Sequence, residues 1–235
     1  MPKIVVTNNQ DLTEEQKQRL SSLGDVTYYD DLPKDGAEYL ERVRGADIIC
    51  SGAAGLQDAY AQLKDVYVTV AFVSVAFVDL EVMKRNNVMV SNAPGANRHA
   101  VSEWIVAMTI LLMRDLHGAI NREATYRTDG ALPPITPGLA GNKMTILGRG
   151  NVGERVGELA AAFGMDVIFF RRGDDLNQSV KDADVIVDTL SSNSSTSKLL
   201  NADFFDIIKP GARLVSVTRS EITDEDAMLK AMDDG

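Results

Sequence analysis

Three glycines at Gly148, Gly150 and Gly153 follow directly on the apolar run Met144-Thr145-Ile146-Leu147. That spacing suits a dinucleotide. The first glycine permits a tight bend and the second lets the backbone approach a pyrophosphate. The third lets the next helix pack close to the strand, with its N-terminal N–H groups aimed at the phosphates. Gly148, Gly150, Asn151, Val152 and Gly153 are therefore the expected cofactor-binding residues of the turn. Residues 154–163 read as a helix with apolar positions at Val156, Leu159, Ala160 and Phe163, and Met165–Phe170 reads as the next strand. The alternative is a glycine-rich turn that holds no ligand. Such a turn has no need of the strand, helix and second strand that surround this one.

The end of that second strand refines the choice of cofactor. A unit that binds NAD usually carries an Asp or Glu about 20 residues beyond the glycines, to hold the ribose 2′-hydroxyl. Here the chain has Arg171-Arg172. A carboxylate would repel a 2′-phosphate, whereas a guanidinium pairs with it bidentately, so the expected preference is NADP over NAD. The competing reading is a solvated arginine pair balanced by Asp174 and Asp175.

Composition narrows the function classes. The chain has 235 residues, 45% of them hydrophobic, enough for one large or two modest cores. A net charge of −10 and the lack of any basic tract argue against nucleic acid. The single cysteine, Cys50, lies in the run Ile48-Ile49-Cys50 and reads as a small hydrophobe in a reducing cytoplasm. The first residues lack the apolar core of a signal peptide. The longest apolar stretch, Trp104 to Met113, is about half of a membrane span and reads as a buried helix. No metal-ligand spacing is present. The acidic pairs at 30–31, 174–175 and 224–226 read as solvated loops or helix starts, with Thr13 a candidate cap, and Met108 and Met113 as core.

The positioning elements follow from periodicity. Lys3–Thr7 and Asp25–Tyr29 read as strands around an amphipathic helix at Thr13–Leu23. Helix 37–45 leads to strand 46–50, and Val66–Val70 and Val88–Val90 follow as short β-rich runs. Strands alternating with helices imply a parallel, doubly wound α/β sheet. A second series begins at Lys143, and Gly45-Ala46-Asp47-Ile48-Ile49 in the first is echoed by Asp182-Ala183-Asp184-Val185-Ile186 in the second. Two such domains are expected: a flavodoxin-like substrate domain at 1–97 and a Rossmann dinucleotide-binding domain at 98–235. They join near Asn92-Ala93-Pro94-Gly95 and leave a cleft for a substrate. A long helix from about Ala100 to Tyr126 would open the second domain, and Thr128–Asn142 would be a surface loop.

Several segments, taken in order, carry a resemblance. They are Val90-Ser91-Asn92-Ala93-Pro94-Gly95, Ala100-Val101-Ser102-Glu103, the glycine turn, Ile208-Lys209-Pro210-Gly211-Ala212, Leu214–Arg219 and Asp224–Leu229. Across nearly the whole chain these resemble the NAD(P)-dependent D-isomer-specific 2-hydroxyacid dehydrogenases. The resemblance implies hydride transfer between NAD(P)H and a small 2-keto or 2-hydroxy acid, of the glyoxylate or hydroxypyruvate kind. It places Arg219 on the substrate's carboxylate and carbonyl, a role that suits a guanidinium beside an oxygen gaining negative charge. The alternative for Arg219 is a loop cap paired with Glu221 or Asp224. Further cofactor contacts are implied at Ser191, Thr196, Val217 and Thr218, and a homodimer through the helix that begins near Ala100, whose apolar surface exceeds what one sheet can cover.

The chain also departs from the family. Its substrate loop, usually Gly-x-Asp-Asn-Val-Asp, is here Ser74-Val75-Ala76-Phe77-Val78-Asp79, so only the backbone N–H groups of Val73, Ser74 and Val75 remain as expected carboxylate contacts, with Phe77 adding bulk. Ser191 stands where a proline is usual and Ser220 where a glycine is. The family's glutamate and proton-donating histidine have no counterpart; His99, just before a helix, and His117 do not match. The expectation is a longer protein of which these residues are a part. Two other functions stay open: a non-catalytic dinucleotide sensor on the same fold, and a fragment that binds nucleotide only.

Overall fold

The computed structural model describes residues 1–121 and 136–234. The chain divides into two compact units, Met1–Ala96 and Asn97–Gly235. In the first, strands β1 (Lys3–Val6), β2 (Asp25–Tyr28), β3 (Ile48–Ser51), β4 (Tyr67–Val70) and β5 (Met89–Ser91) form one parallel sheet in the order β2-β1-β3-β4-β5. Helices α1 (Glu14–Ser21), α2 (Gly36–Arg42), α3 (Leu56–Ala59) and α4 (Leu80–Arg85) make the crossovers. Strands β1, β3, β4 and β5 send apolar side chains into a core that includes Val5, Ile49, Val68, Tyr39 and Met83. Thr13 caps α1 in a full capping box with Gln16.

The second unit opens with α5 (Arg98–Met113), then builds a parallel sheet in the order β7-β6-β8-β9 from β6 (Lys143–Leu147), β7 (Asp166–Phe170), β8 (Val185–Asp188) and β9 (Arg213–Ser216). Its other helices are α6 (Asn151–Ala162), α7 (Leu176–Val180), α8 (Ala202–Ile207) and α9 (Glu225–Asp234). The chain reverses direction across the sheet between β6 and β8. Ligands bind at the carboxyl ends of strands at such a point.

The sequence echo between the halves has a physical counterpart. In the first unit the Lys3 N–H donates to the Asp47 carboxylate at 2.7 Å, and the Asp47 N–H returns a bond to the Lys3 carbonyl at 2.9 Å. In the second the Lys143 N–H donates to Asp184 at 2.8 Å, and Asp184 N–H returns to Lys143 at 2.9 Å. The aspartate at the start of the third strand thus clamps the start of the first. In the second unit Lys209 also donates to Asp184. Burial opposes the charged form of Asp184, but Lys209 and the Lys143 N–H outweigh it and hold the carboxyl below the usual range.

Three expectations are corrected by the helices. The long helix is interrupted: α5 ends at Met113, and Asp115 takes a left-handed φ of 43° before helical residues resume. Residues 122–126 of that expected helix, and 128–135 of the expected loop, lie outside the described residues. His99 lies inside the first turn of α5 rather than before it, since Asn97 is the N-cap. On α6 the buried stripe is Gly153, Val156, Gly157 and Ala160, while Phe163 caps the helix half-exposed. Small residues form the packing face because α6 lies so near the sheet that a Cβ on Gly157 would stand 2.4 Å from the Phe169 ring. Cys50 is partly buried, and burial raises its thiol above its ordinary pKa, which makes it a poor nucleophile. No helix among the described residues is long and apolar enough to cross a membrane.

Candidate active site

The glycine turn sits at the carboxyl end of β6, beside β8. Gly148 has a φ of +97°, a conformation that side-chain-bearing residues rarely adopt, and its N–H donates to the Phe170 carbonyl at 3.0 Å. A Cβ on Gly153 would stand 2.3 Å from the Gly148 carbonyl oxygen and 2.8 Å from Thr189 Oγ1. The third glycine is therefore required by the approach of α6 to the turn. Above Gly150 the space is open: a Cβ there would meet nothing within 4 Å. Gly150 is the N-cap of α6 and offers no side-chain cap, and the first helical hydrogen bond in this turn is Glu154 N–H to its carbonyl. The N–H groups of Asn151, Val152 and Gly153 thus point out of the helix end without a described partner, the arrangement an anion requires. A pyrophosphate fits this cradle.

At the end of β7 the side chains of Arg171 and Arg172 make no ion pair among the described residues. The nearby acids are occupied otherwise: Asp174 accepts the Arg171 backbone N–H at 2.7 Å and Asp175 caps α7. The balancing of the arginines by these acids is thus not found. A third arginine, Arg149, lies in the middle of the glycine turn. Its guanidinium stacks 4.9 Å from the Phe169 ring centroid and bridges to Glu154 at 3.1 Å. Neither the glycine spacing nor the periodicity assigns Arg149 a role. The signal was its place between the first two glycines, beside the strand that ends in Arg171.

On the other side of the turn, Asp188 ends β8 fully buried, at 0% exposure. Its carboxylate accepts the Leu190 N–H at 3.0 Å, the Ser216 hydroxyl at 3.1 Å and a short bond from the Thr218 hydroxyl. It makes no ion pair among the described residues. Burial pushes its carboxyl above the ordinary value of 3.8, although these three donors pull the other way. The loop that follows is held by local bonds. Thr196 Oγ1 accepts the Asn193 N–H at 3.0 Å and donates to the Ser191 carbonyl at 2.8 Å. Val217 N–H donates to the Asp188 carbonyl at 3.3 Å. Ser191, Thr196, Val217 and Thr218 thus stand together around the ends of β8 and β9.

Arg219 follows directly, exposed and extended (φ −82°, ψ 147°), at the start of the short turn Ser220–Ile222. It is not the loop cap that pairs with Glu221 or Asp224. Asp224 bridges instead to Lys198 at 3.3 Å, and Arg219 makes no ion pair among the described residues. In the first unit, Val73, Ser74 and Val75 follow β4. Val73 accepts Asn92 Nδ2 at 2.9 Å, Ser74 Oγ accepts the Ala76 N–H, and Val75 accepts the Val78 N–H. Their own N–H groups have no partner among the described residues. Phe77 packs on the core of that unit, so its bulk is absorbed inward.

With this geometry in view, the comparisons are informative. The D-isomer specific 2-hydroxyacid dehydrogenase catalytic domain matches residues 4–156, and the NAD binding domain of the same family matches residues 106–235. The chain belongs to that family. D-lactate dehydrogenase of Staphylococcus aureus (strain Mu50) is 24% identical over 168 residues, covering 67% of this chain and 51% of the relative. D-3-phosphoglycerate dehydrogenase 2, chloroplastic, of Arabidopsis thaliana is 28% identical over 249 residues, covering 100% of this chain and 39% of the relative. Among solved structures, an acyclic imino acid reductase in complex with NADPH and D-Arg superposes with a TM-score of 0.86 at 22% identity, over 99% of this chain and 79% of that one. The chain spans about half the length of the first curated relative. Its membership shows an NAD-binding α/β fold of two parallel sheets.

Two outcomes follow. Gly153→Ala forces the new methyl against backbone, so it should cost about 1–3 kcal/mol or more in a denaturant titration and weaken NADPH at least about tenfold by fluorescence. For Asp188, the raised carboxyl means that folding disfavours its ionised form. That penalty is present above the folded-state pKa and is relieved as pH falls through it. The melting temperature of the wild type relative to Asp188→Asn should therefore rise as pH is lowered from neutral towards the ordinary carboxylate value, and a difference constant with pH would contradict this.

Proposed function

We propose that this protein is an NADP-preferring reductase of small 2-keto acids. The observation that carries the cofactor preference is Arg171-Arg172 at the end of β7, unpaired among the described residues, with Arg149 close by on Phe169. Three guanidinium groups on one side of the glycine turn favour a 2′-phosphate. The NADPH-bound imino acid reductase shows that this fold accepts that cofactor in a relative. When bound, the nicotinamide supplies the hydride.

The chain's own residues bind and orient. The α6 N-terminus and the turn hold the pyrophosphate. Arg219 pairs with the acid's carboxylate and stabilises the carbonyl oxygen as it becomes negative. The N–H groups of Val73, Ser74 and Val75 are further carboxylate donors, and backbone donors of this kind tolerate the loss of the family's usual side chains. Ser191, Thr196, Val217 and Thr218 are the polar and backbone groups that border the cofactor. Glyoxylate and hydroxypyruvate are the first substrates to test. Homodimerisation through α5 belongs to the same reading, supported by Trp104 and Leu112, which that helix leaves exposed at 49% and 38%.

Titration of NADPH and NADH should show NADPH bound tenfold or more tightly, since two charge-assisted contacts are worth roughly 1.5–3 kcal/mol each. The double variant Arg171→Asp, Arg172→Ala should abolish the difference. Equal affinities in the wild type would refute the preference. Arg219→Lys keeps the charge but loses the planar fork. It should raise KM and lower kcat for glyoxylate while leaving NADPH affinity within about threefold, and unchanged kinetics would remove Arg219 from the site.

A further inference from the structure

Asp188 is an anomaly that the cofactor and substrate roles leave unexplained. A carboxylate with no exposed surface and no cation is expensive to bury, and an apolar residue would fill its place at less cost. Being fully covered, it touches neither substrate nor cofactor. What it does is join two segments. Leu190, which donates from one side, begins the loop that carries Ser191 and Thr196. Ser216, the last residue of β9, and Thr218, in the bend that leads to Arg219, donate from the other. The same two segments meet again beyond the loop: Lys198 N–H donates to the Glu221 carbonyl at 2.8 Å, Leu200 N–H to Ile222 at 3.1 Å, and Asp224 N–H to Leu200 at 2.8 Å. The loop is therefore fastened to the Arg219 segment at both of its ends: by backbone alone at one, and at the other by the β8–β9 ladder, which ends in Val217 N–H to the Asp188 carbonyl, together with the Asp188 side chain.

We propose that Asp188 is a positioning residue: its buried carboxylate locks the 190–197 loop to the end of β9, so that the cofactor-side residues and Arg219 keep one relative placement. This rests on the reading of Arg219 as the substrate anchor. The carboxylate suits the task because its two oxygens offer about four acceptor sites, enough for one N–H and two hydroxyls at once, whereas an apolar residue accepts none. One hydroxyl comes from the last residue of β9 and the other from the bend two residues on, so the joint spans the turn that leads to Arg219.

The test compares wild type, Asp188→Asn, Ser216→Ala and the double variant. Glyoxylate reduction with NADPH, NADPH binding by fluorescence, and hydrogen exchange over residues 189–200 and 214–224 are the readouts. Asparagine keeps the shape but has one acceptor oxygen. It should lower kcat/KM for glyoxylate about tenfold or more while NADPH affinity stays within about threefold. Ser216→Ala, a milder exposed change that preserves folding, should lose activity in the same direction, and the double variant should lose no more than Asp188→Asn alone, because the residues share one joint. Exchange should rise in both segments together. Wild-type kinetics and exchange in Asp188→Asn would overturn the proposal, as would parallel losses of NADPH and glyoxylate affinity, which mark general loosening. Should the wild type reduce no 2-keto acid, the functional reading falls. The exchange data then still judge Asp188: a coupled rise upholds the joint and an unchanged pattern refutes it.

Discussion

The approach of Gly153 to the Gly148 carbonyl is the constraint on which the rest of the nucleotide-binding unit depends. A missing Cβ lets α6 lie against the turn, and the left-handed conformation of Gly148 turns the chain sharply enough to begin that helix at Gly150. Thr189 secures the same point from β8. Its N–H and its hydroxyl both donate to the Leu147 carbonyl at 3.0 Å. Backbone groups that would otherwise stay unpaired at a buried strand end are satisfied, and the three free N–H groups of α6 are left to face outward.

From that point the unit builds outward in both directions across the sheet. Towards β7, Gly157 admits the Phe169 ring beneath α6, and the same ring supports Arg149. Towards β9, Asp188 gathers the ends of two strands and a loop. The two flanks differ in how they hold charge. One presents three guanidinium groups to solvent, and the other hides a carboxylate among neutral donors.

Both units use one device at the opposite edge of the sheet, where Asp47 and Asp184 clamp the starts of β1 and β6. These carboxylates accept backbone N–H groups at a place where a parallel sheet leaves its first donors unpaired. The amino edge of each sheet is thus closed by paired polar groups at the start of its first strand.

Much of this was legible in the residues. Short apolar runs separated by helical patterns, with glycines at 148, 150 and 153, determine two parallel α/β units and a dinucleotide turn, because local conformation and burial decide those features. The Asp47 and Asp184 echo was visible as a repeat before its purpose was. Other features needed the tertiary structure. On α6 the apolar pattern marked Val156 and Ala160 of the packing face but not Gly153 and Gly157, whose value lies in the room they leave rather than in apolar area. The break after Met113 depends on one residue adopting a left-handed φ, which no periodicity announces. Whether Arg171, Arg172 and Arg219 are balanced by nearby acids depends on where those acids find other donors, and a sequence shows proximity along the chain but not competition in space. Asp188 is the clearest case. In the run Val185-Ile186-Val187-Asp188 it reads as the end of a strand, and only the meeting of β8 with β9, separated by the 24 residues from Thr189 to Ala212, adds the two hydroxyl donors of Ser216 and Thr218 to the local Leu190 N–H.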